Sequence, residues 1–298
     1  MPEPRASGVA RFAKTEALGN DFLLVPEEGI RGWKDRSALA RSMCHRLKGL
    51  GADGLIFFSR AGEGRDYTMK LLNPDGSDAE ISGNGLRCLG AYLKLSGRVL
   101  DDRFTIETGS GARRLEMVSR DGPRFVFRAD MGAPRLESEA VPFQSGPPSS
   151  PDAGTKPAIG VPLEVGGRTV QITALSMGNP QCVLFVDRLE FDQLRELGPR
   201  IETHPRFPQR TNVEFVEVRN RSELAIGIWE RGAGETAASG TGSAAATVAA
   251  VLSGKAGEKV TVHCPGGDLE VEWRGRQRVY VTGEAVVVAE GSLYLEKP

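Results

Sequence analysis

The chain has 298 residues, of which 40% are hydrophobic and 26% charged, and its net charge is −1. That make-up belongs to a globular protein long enough for one large core or two domains of ordinary size. It demands no basic surface of the kind nucleic acid requires, so nucleic acid is not an expected partner. The four cysteines (Cys44, Cys88, Cys182, Cys264) are scattered, with no Cys-x-x-Cys pair and no histidine cluster. That pattern speaks against a structural zinc site or a disulfide scaffold, so no metal is expected. No apolar run approaches the roughly 20 residues that span a bilayer. Met1–Val9 lacks the hydrophobic stretch of a signal peptide, and cytoplasm is the expected location.

In chain order, Phe22–Val25 is a short apolar run of strand length. Gly49–Gly54 is a glycine turn that redirects the chain. Leu86–Leu95 places Leu86, Leu89 and Leu93 on one helical face and stops at Gly97, a good residue to follow a helix. Residues 137–162 contain Pro142, Pro147, Pro148, Pro151 and Pro157 among Gly and Ser, which predicts a linker or long surface excursion. Val141 and Phe143 are its two apolar positions able to dock on a domain. Cys182–Val186, Phe215–Val218 and Leu224–Ile228 have strand composition. Ser243–Leu252 is apolar nearly all round, as a buried helix is, and stops at Gly254.

The sequence repeats itself once. Leu18-Gly19-Asn20 followed by an apolar run is echoed by Met177-Gly178-Asn179 and another such run. Ser82-Gly83-Asn84-Gly85 is echoed by Ser239-Gly240-Thr241-Gly242, and Leu95-Ser96-Gly97-Arg98 by Leu252-Ser253-Gly254-Lys255. Phe104–Gly109 is echoed by Val260–Gly266. The two middle pairs share one offset, and four pairs in order at nearly constant spacing indicate duplication. The predicted architecture is a sheet wrapped around a central helix, made twice.

The two glycine turns each sit directly before the central helix of their half. A helix start offers outward N–H groups and the positive end of the dipole, which together hold a carboxylate or phosphate. With two related halves, both starts can serve one small anion in a shared cleft. Taken alone, each serine is an N-cap and each Gly-x-Gly an entry turn. Asn20 and Asn179, each after a glycine, read equally as turn formers, as does Asn212. Glu230-Arg231 reads equally as a surface ion pair. The flanking segments Asn73–Ser77 and Glu230–Thr236 add polar side chains at strand exits, where sites are usually built.

Together these segments resemble the diaminopimelate epimerase family, which inverts an amino-acid α-carbon without pyridoxal phosphate, and the resemblance runs from about Lys14 to Leu295. It is carried by Gly-Asn-Asp-Phe at 19–22, Gly-Ala-Asp-Gly at 51–54, Asn-Pro-Asp-Gly-Ser at 73–77 and Gly-Asn-Gly-Leu-Arg-Cys at 83–88. Met-Gly-Ala-Pro at 131–134, Gly-Asn-Pro at 178–180, Thr-Asn-Val at 211–213, Glu-Arg-Gly at 230–232 and Gly-Thr-Gly at 240–242 continue it. The resemblance implies an α+β fold of two pseudo-symmetric domains, each a sheet around a central helix. The expected domains are 1–128 with 287–298, and 129–286. It implies a diamino diacid substrate, no cofactor, lysine biosynthesis as the setting and a homodimer as a possible assembly. By the same resemblance Asn20, Gly54, Asn73, Gly83, Asn84, Asn179, Asn212, Glu230, Arg231, Gly240 and Thr241 line the substrate site.

The departures lie at the reactive centre. Ser82 and Ser239 occupy the positions of the family's two catalytic cysteines, and Gln181 stands where the family usually has a histidine. A cysteine thiol titrates near about 8.5 and lower at a helix start. An alcohol is a far weaker acid and needs a neighbouring base. Glu230 is the remaining family residue able to act as general base. Reduced epimerase activity is therefore expected. Two alternatives stay open: an isomerase of the same fold on another substrate, like the phenazine-biosynthesis proteins, and an inactive paralogue that binds diaminopimelate.

Overall fold

The structure, a computed structural model, describes residues 7–30, 32–62, 66–79, 82–137, 141–144, 157–275 and 277–296. The chain divides into two compact units, Met1–Ala129 with Gly283–Pro298, and Asp130–Thr282.

The first unit opens with β1 (Ser7–Ala17) and β2 (Asn20–Pro26). They form a hairpin whose turn places Leu18 and Gly19 at φ 55° and 83°. Two positive φ values in a two-residue turn match the right-handed twist of the strands, and glycine accepts one of them without strain. Helix α1 (Arg36–Cys44) follows, capped by Asp35, which accepts from the Ala38 N–H at 2.8 Å. The chain crosses to β3 (Gly54–Arg60), parallel to β2, then turns back as β4 (Tyr67–Leu72). Helix α2 (Gly83–Leu95) makes the second crossover, to β5 (Arg103–Thr108), parallel to β4. Strands β6 (Gly111–Asp121) and β7 (Arg124–Gly132) continue antiparallel.

The second unit runs the same course. Strands β8 (Ala158–Val165), β9 (Arg168–Ser176) and β10 (Pro180–Val186) are antiparallel neighbours. Helix α3 (Phe191–Glu202) leads to β11 (Asn212–Asn220), parallel to β10, and β12 (Glu223–Glu230) returns beside it. After the short β13 (Gly234–Thr236), helix α4 (Gly240–Leu252) leads to β14 (Lys259–Cys264), parallel to β12, and β15 (Gly267–Trp273) pairs with β14. The last strand, β16 (Val279–Glu296), pairs first with β15 and then with β1, closing the strands of the first unit into a ring.

Strand periodicity decides what faces each helix. In the first unit Leu23, Val25, Leu55 and Phe57 pack with Leu39, Ala40 and Met43 of α1. The alternate residues turn inward to α2, which is buried from Gly83 to Ala91. Gly90 lies so close to the sheet that a Cβ there would meet Leu115 Cδ1 at 2.8 Å. In the second unit Cys182, Leu184, Val213 and Phe215 pack with Leu194, Leu197 and Ile201 of α3. Gln181, Val183, Asn212, Glu214 and Val216 therefore face α4, which is buried from Gly240 to Ala250.

Three expectations need correction. Both central helices begin at the first glycine of their motif, three residues earlier than apolar spacing indicated, because the serine before it already caps the helix. The excursion at 137–162 is shorter than expected: β8 begins at Ala158, and Val141 and Phe143 are core residues. Phe143 stacks against Phe207 with ring centroids 4.8 Å apart. Pro147, Pro148 and Pro151 lie outside the described residues. Helices α1 and α3 were not expected at all.

Candidate functional site

Ser82 is the N-cap of α2, with extended backbone at φ −113° and ψ 118°, and its Oγ accepts the Gly85 N–H at 3.1 Å. Ser239 caps α4 at φ −138° and ψ 123°, and its Oγ accepts the Gly242 N–H at 3.2 Å. The two starts are built alike, and each offers first-turn N–H groups and the positive end of a 13-residue helix. Both glycines at the third helical position are closely approached by what lies beneath. A Cβ at Gly85 would stand 3.0 Å from Ile56 Cδ1, and one at Gly242 would stand 3.0 Å from Glu214 Oε1. Ser82 is half-buried, while Ser239 is 6% exposed.

In the first unit a hydrogen-bonded chain ties the helix start to the β1–β2 turn. Asn84, buried in the first turn of α2, donates to Asn20 Oδ1 at 3.3 Å, and Asn20 donates to Asp53 Oδ2 at 2.8 Å. Asp53 also accepts from the Asp21 N–H and from Arg46. Burial pushes the Asp21 carboxyl up, but hydrogen bonds from Lys14 and Arg46 outweigh that and lower it to about 2. On the other side of Asn84, the fully buried Arg87 donates to its Oδ1 at 2.6 Å and to the Glu284 carbonyl at 3.3 Å. Asn84 is thereby fixed in orientation. Gly54 begins β3 with no room for a side chain, a Cβ there meeting Leu71 Cδ1 at 2.9 Å and Leu72 O at 3.2 Å. Asn73 follows Leu72 and donates to Ser77 Oγ at 2.9 Å, closing its own turn. Gly83 opens α2 beside Asn84.

In the second unit Gln181 is wholly buried and donates to Asn179 Oδ1 at 2.7 Å, so it orients Asn179. As an amide it has no proton-accepting role at neutral pH. Asn212 bridges two segments, donating to the Pro180 carbonyl at 3.1 Å and accepting the Arg231 N–H at 2.8 Å. Glu202 holds the following turn, accepting from the Gly232 N–H at 3.0 Å and from Trp229 Nε1 at 2.8 Å. Arg231 directs its guanidinium to the Gln209 carbonyl at 2.8 Å. Glu230 ends β12 one residue after Trp229, whose ring packs toward α3, so Glu230 belongs to the α4 face. Gly240 opens α4, and the Thr241 hydroxyl lies 3.3 Å from Ser239 Oγ.

Sequence reasoning missed Asp53, Arg87, Glu202 and Glu214 as parts of these sets. Asp53 and Arg87 lie inside motifs already singled out. Glu214 had one legible signal, an acid two residues after Asn212 in a strand otherwise apolar on that face. Three of the cysteines rest as neutral thiols: burial pushes Cys44 and Cys88 up to about 12 and raises Cys182 well above its ordinary range. Among the described residues no group of three His, Cys, Asp or Glu side chains is placed to hold a metal ion, and no helix is long and apolar enough to cross a membrane.

The sequence profile described as diaminopimelate epimerase matches this chain over residues 12–137 and 173–288. The chain belongs to the diaminopimelate epimerase family. A diaminopimelate epimerase of Pelotomaculum thermopropionicum is 46% identical over 282 residues, covering 94% of this chain and 97% of the relative. That of Moorella thermoacetica is 44% identical over 287 residues, covering 96% and 99%. Among solved structures, a hydroxyproline epimerase from Agrobacterium vitis superposes with a TM-score of 0.72 at 15% identity, covering 100% of this chain and 95% of that one. A Bacillus anthracis phenazine biosynthesis protein of the PhzF family superposes at 0.66 and 14%, covering 97% and 100%. These two likenesses concern the fold alone. Both glycine helix starts of this chain carry a serine cap, Ser82 in one and Ser239 in the other.

Proposed function

We propose that this chain epimerises diaminopimelate at an α-carbon by proton transfer between two groups. The observation that carries the reading is the pair of helix starts, each a serine cap followed by glycine and a buried polar residue, Asn84 in one and Thr241 in the other. Such starts bind a carboxylate through N–H groups and dipole alike. The flanking asparagines Asn20, Asn179 and Asn212, held by Asp53, Gln181 and the 230–232 turn, support recognition of an amino diacid. Asn73 and Arg231 extend that set.

The acid–base groups are Ser82 and Ser239, with Glu230 as the carboxylate base of the set. An alcohol is scarcely ionised at neutral pH, so turnover is slow beside that of a thiol at the same position. The helix dipole favours the alkoxide in each case, and the capped N–H already points at the oxygen that would carry the charge. Incubation of the protein with diaminopimelate in deuterated water is the test, read by NMR at the α-position. Deuterium entering the α-carbon with interconversion of the LL and meso forms is the expected outcome. Tight binding with no exchange would leave a diaminopimelate-binding paralogue and remove the enzyme reading.

A further inference from the structure

Beneath the first turn of α4 lies a carboxyl that the reading above leaves unused. Glu214 is fully buried on β11, and neither of its carboxyl oxygens has a hydrogen-bond partner. Its Oε1 and the Ser239 Cβ lie 3.0 and 3.2 Å from one point, the place a Cβ of Gly242 would occupy. The Ser239 hydroxyl is one bond beyond that Cβ, so the carboxyl and the hydroxyl-bearing carbon flank the same first-turn glycine.

The duplicated half shows that the fold does not ask for an acid there. Ile56 is the third residue of β3 as Glu214 is of β11, and Ile56 Cδ1 stands 3.0 Å from the corresponding point on Gly85. One helix start rests on an aliphatic side chain and its twin on a carboxyl. An unpartnered buried carboxylate is costly, so the group rests neutral. Burial raises its titration well above the ordinary range, and the neighbouring charge of Glu230 adds to the shift. Among the titratable groups around it, Glu230 on β12 acts on Glu214, and Glu214 in turn acts on Cys182 of β10; the first turn of α4 brings no acidic side chain.

We propose that Glu214 stores the proton for the Ser239 side of the reaction, acting through Ser239 as a positioning residue. In the protonating direction the Ser239 O–H bond breaks as the α-C–H bond forms on the carbanion. The Glu214 O–H bond breaks as its proton passes to Ser239 Oγ. Glu214 is left as a carboxylate and Ser239 as the hydroxyl it began as. In the reverse direction the same carboxylate, a stronger base than an exposed one, takes the hydroxyl proton as Ser239 Oγ takes the α-proton. This rests on the epimerase reading.

Two measurements test it. The infrared difference between wild type and E214Q, without substrate at neutral pH, is expected to contain the carbonyl stretch of a protonated buried carboxyl; its absence overturns the proposal whatever the substrate. For turnover of diaminopimelate, E214Q and E214I (the latter copying Ile56) are expected to melt and bind as the wild type does. Their kcat should fall on the order of 10²-fold, with E214D recovering part of it. An unchanged kcat, or a KM that rises as far as kcat falls, overturns the proposal. Exchange by the wild type with an unaltered E214Q removes the proposal alone, whereas no exchange by the wild type removes it together with the epimerase reading.

Discussion

Replacing both caps by cysteine, Ser82→Cys with Ser239→Cys, should move activity and stability in opposite directions. Each serine Oγ satisfies one first-turn N–H, at 3.1 Å in α2 and 3.2 Å in α4. A thiol is a poorer acceptor, and losing a good cap costs about 1 kcal/mol. Two caps then amount to a loss of up to roughly 2 kcal/mol, or a fall in Tm of about 4–8 °C for a chain of this size. Activity should rise, because a thiol of ordinary pKa near 8.5 is about one quarter ionised at pH 8 whereas an alcohol is almost entirely neutral. A positioned acid–base group contributes on the order of 10²–10⁴-fold, so kcat for α-deuterium exchange should rise by about 10²-fold or more. The two positions should also differ. Burial is the largest cause that takes Cys44 and Cys88 to about 12, and Ser239 is more deeply buried than Ser82. A thiol-alkylation profile against pH should therefore show Cys at 82 reacting at lower pH than Cys at 239. If alkylation shows both thiolates formed and exchange is no faster than in the wild type, the assignment of Ser82 and Ser239 to proton transfer is refuted.

Three further perturbations follow from the geometry. The Asp21 carboxyl titrates at about 2 in the folded protein against 3.8 ordinarily. Its contribution, on the order of 2 kcal/mol, is present above pH 3.8 and is lost as pH falls toward 2; urea denaturation at pH 5 and pH 3 should show the wild type losing more stability than Asp21→Asn. Gly90→Ala should destabilise despite better helix propensity, since its Cβ would stand 2.8 Å from Leu115 Cδ1 and 3.4 Å from the rings of Phe104 and Phe127. Overpacking of about 1–3 kcal/mol set against a propensity gain of about 1 kcal/mol leaves a lower midpoint in a thermal melt. Phe143→Ala removes a ring packed on Phe207 and under the Arg206 guanidinium, 4.5 Å from its centroid. A cost of about 3–5 kcal/mol should appear in urea denaturation, and an unchanged midpoint would show that the segment is not part of the core.

The central helices and the duplication were legible because apolar spacing and repeated glycines are local signals. Their first turns were not: glycine is a poor helix former, and the reason for it here lies on another strand, where Ile56 or Glu214 approaches within 3.0 Å of the missing Cβ. Helix α3 went unread for a similar cause. Gly198 and Pro199 look like helix breakers, yet Gly198 admits the Trp229 ring, which would stand 2.9 Å from a Cβ. Helix α1 is only nine residues long and has few apolar positions to mark its face. The candidate site residues Asn20, Asn84, Asn179, Asn212 and Arg231 were reached through family motifs, since each is ambiguous alone. Their orientation is a tertiary property: Asn84 is set by Arg87 and Asn20, and Asn179 by Gln181. Glu214 belonged to no motif flagged in the sequence; its one local signal was an acid two residues after Asn212, and its place beside Gly242 is a tertiary property.

Duplication also separates what the chemistry needs twice from what it needs once. Serine cap, glycine, buried polar residue and second glycine are kept in both halves, with the cap backbone in the same extended region. These are the parts that present N–H groups and a hydroxyl at a helix start, and both halves retain them. The strand slots beneath have diverged: Gly54 answers to Asn212, and Ile56 to Glu214. A reaction that inverts a carbon needs proton transfer on two faces, but the groups behind the two need not match, because one gives a proton when the other takes it. An aliphatic slot leaves the start of α2 with its positive potential unopposed, which favours ionisation of whatever caps it. A neutral acid under α4 favours the protonated partner. On the epimerase reading proposed above, the unequal slots would assign proton abstraction to the Ser82 side and proton supply to the Ser239 side.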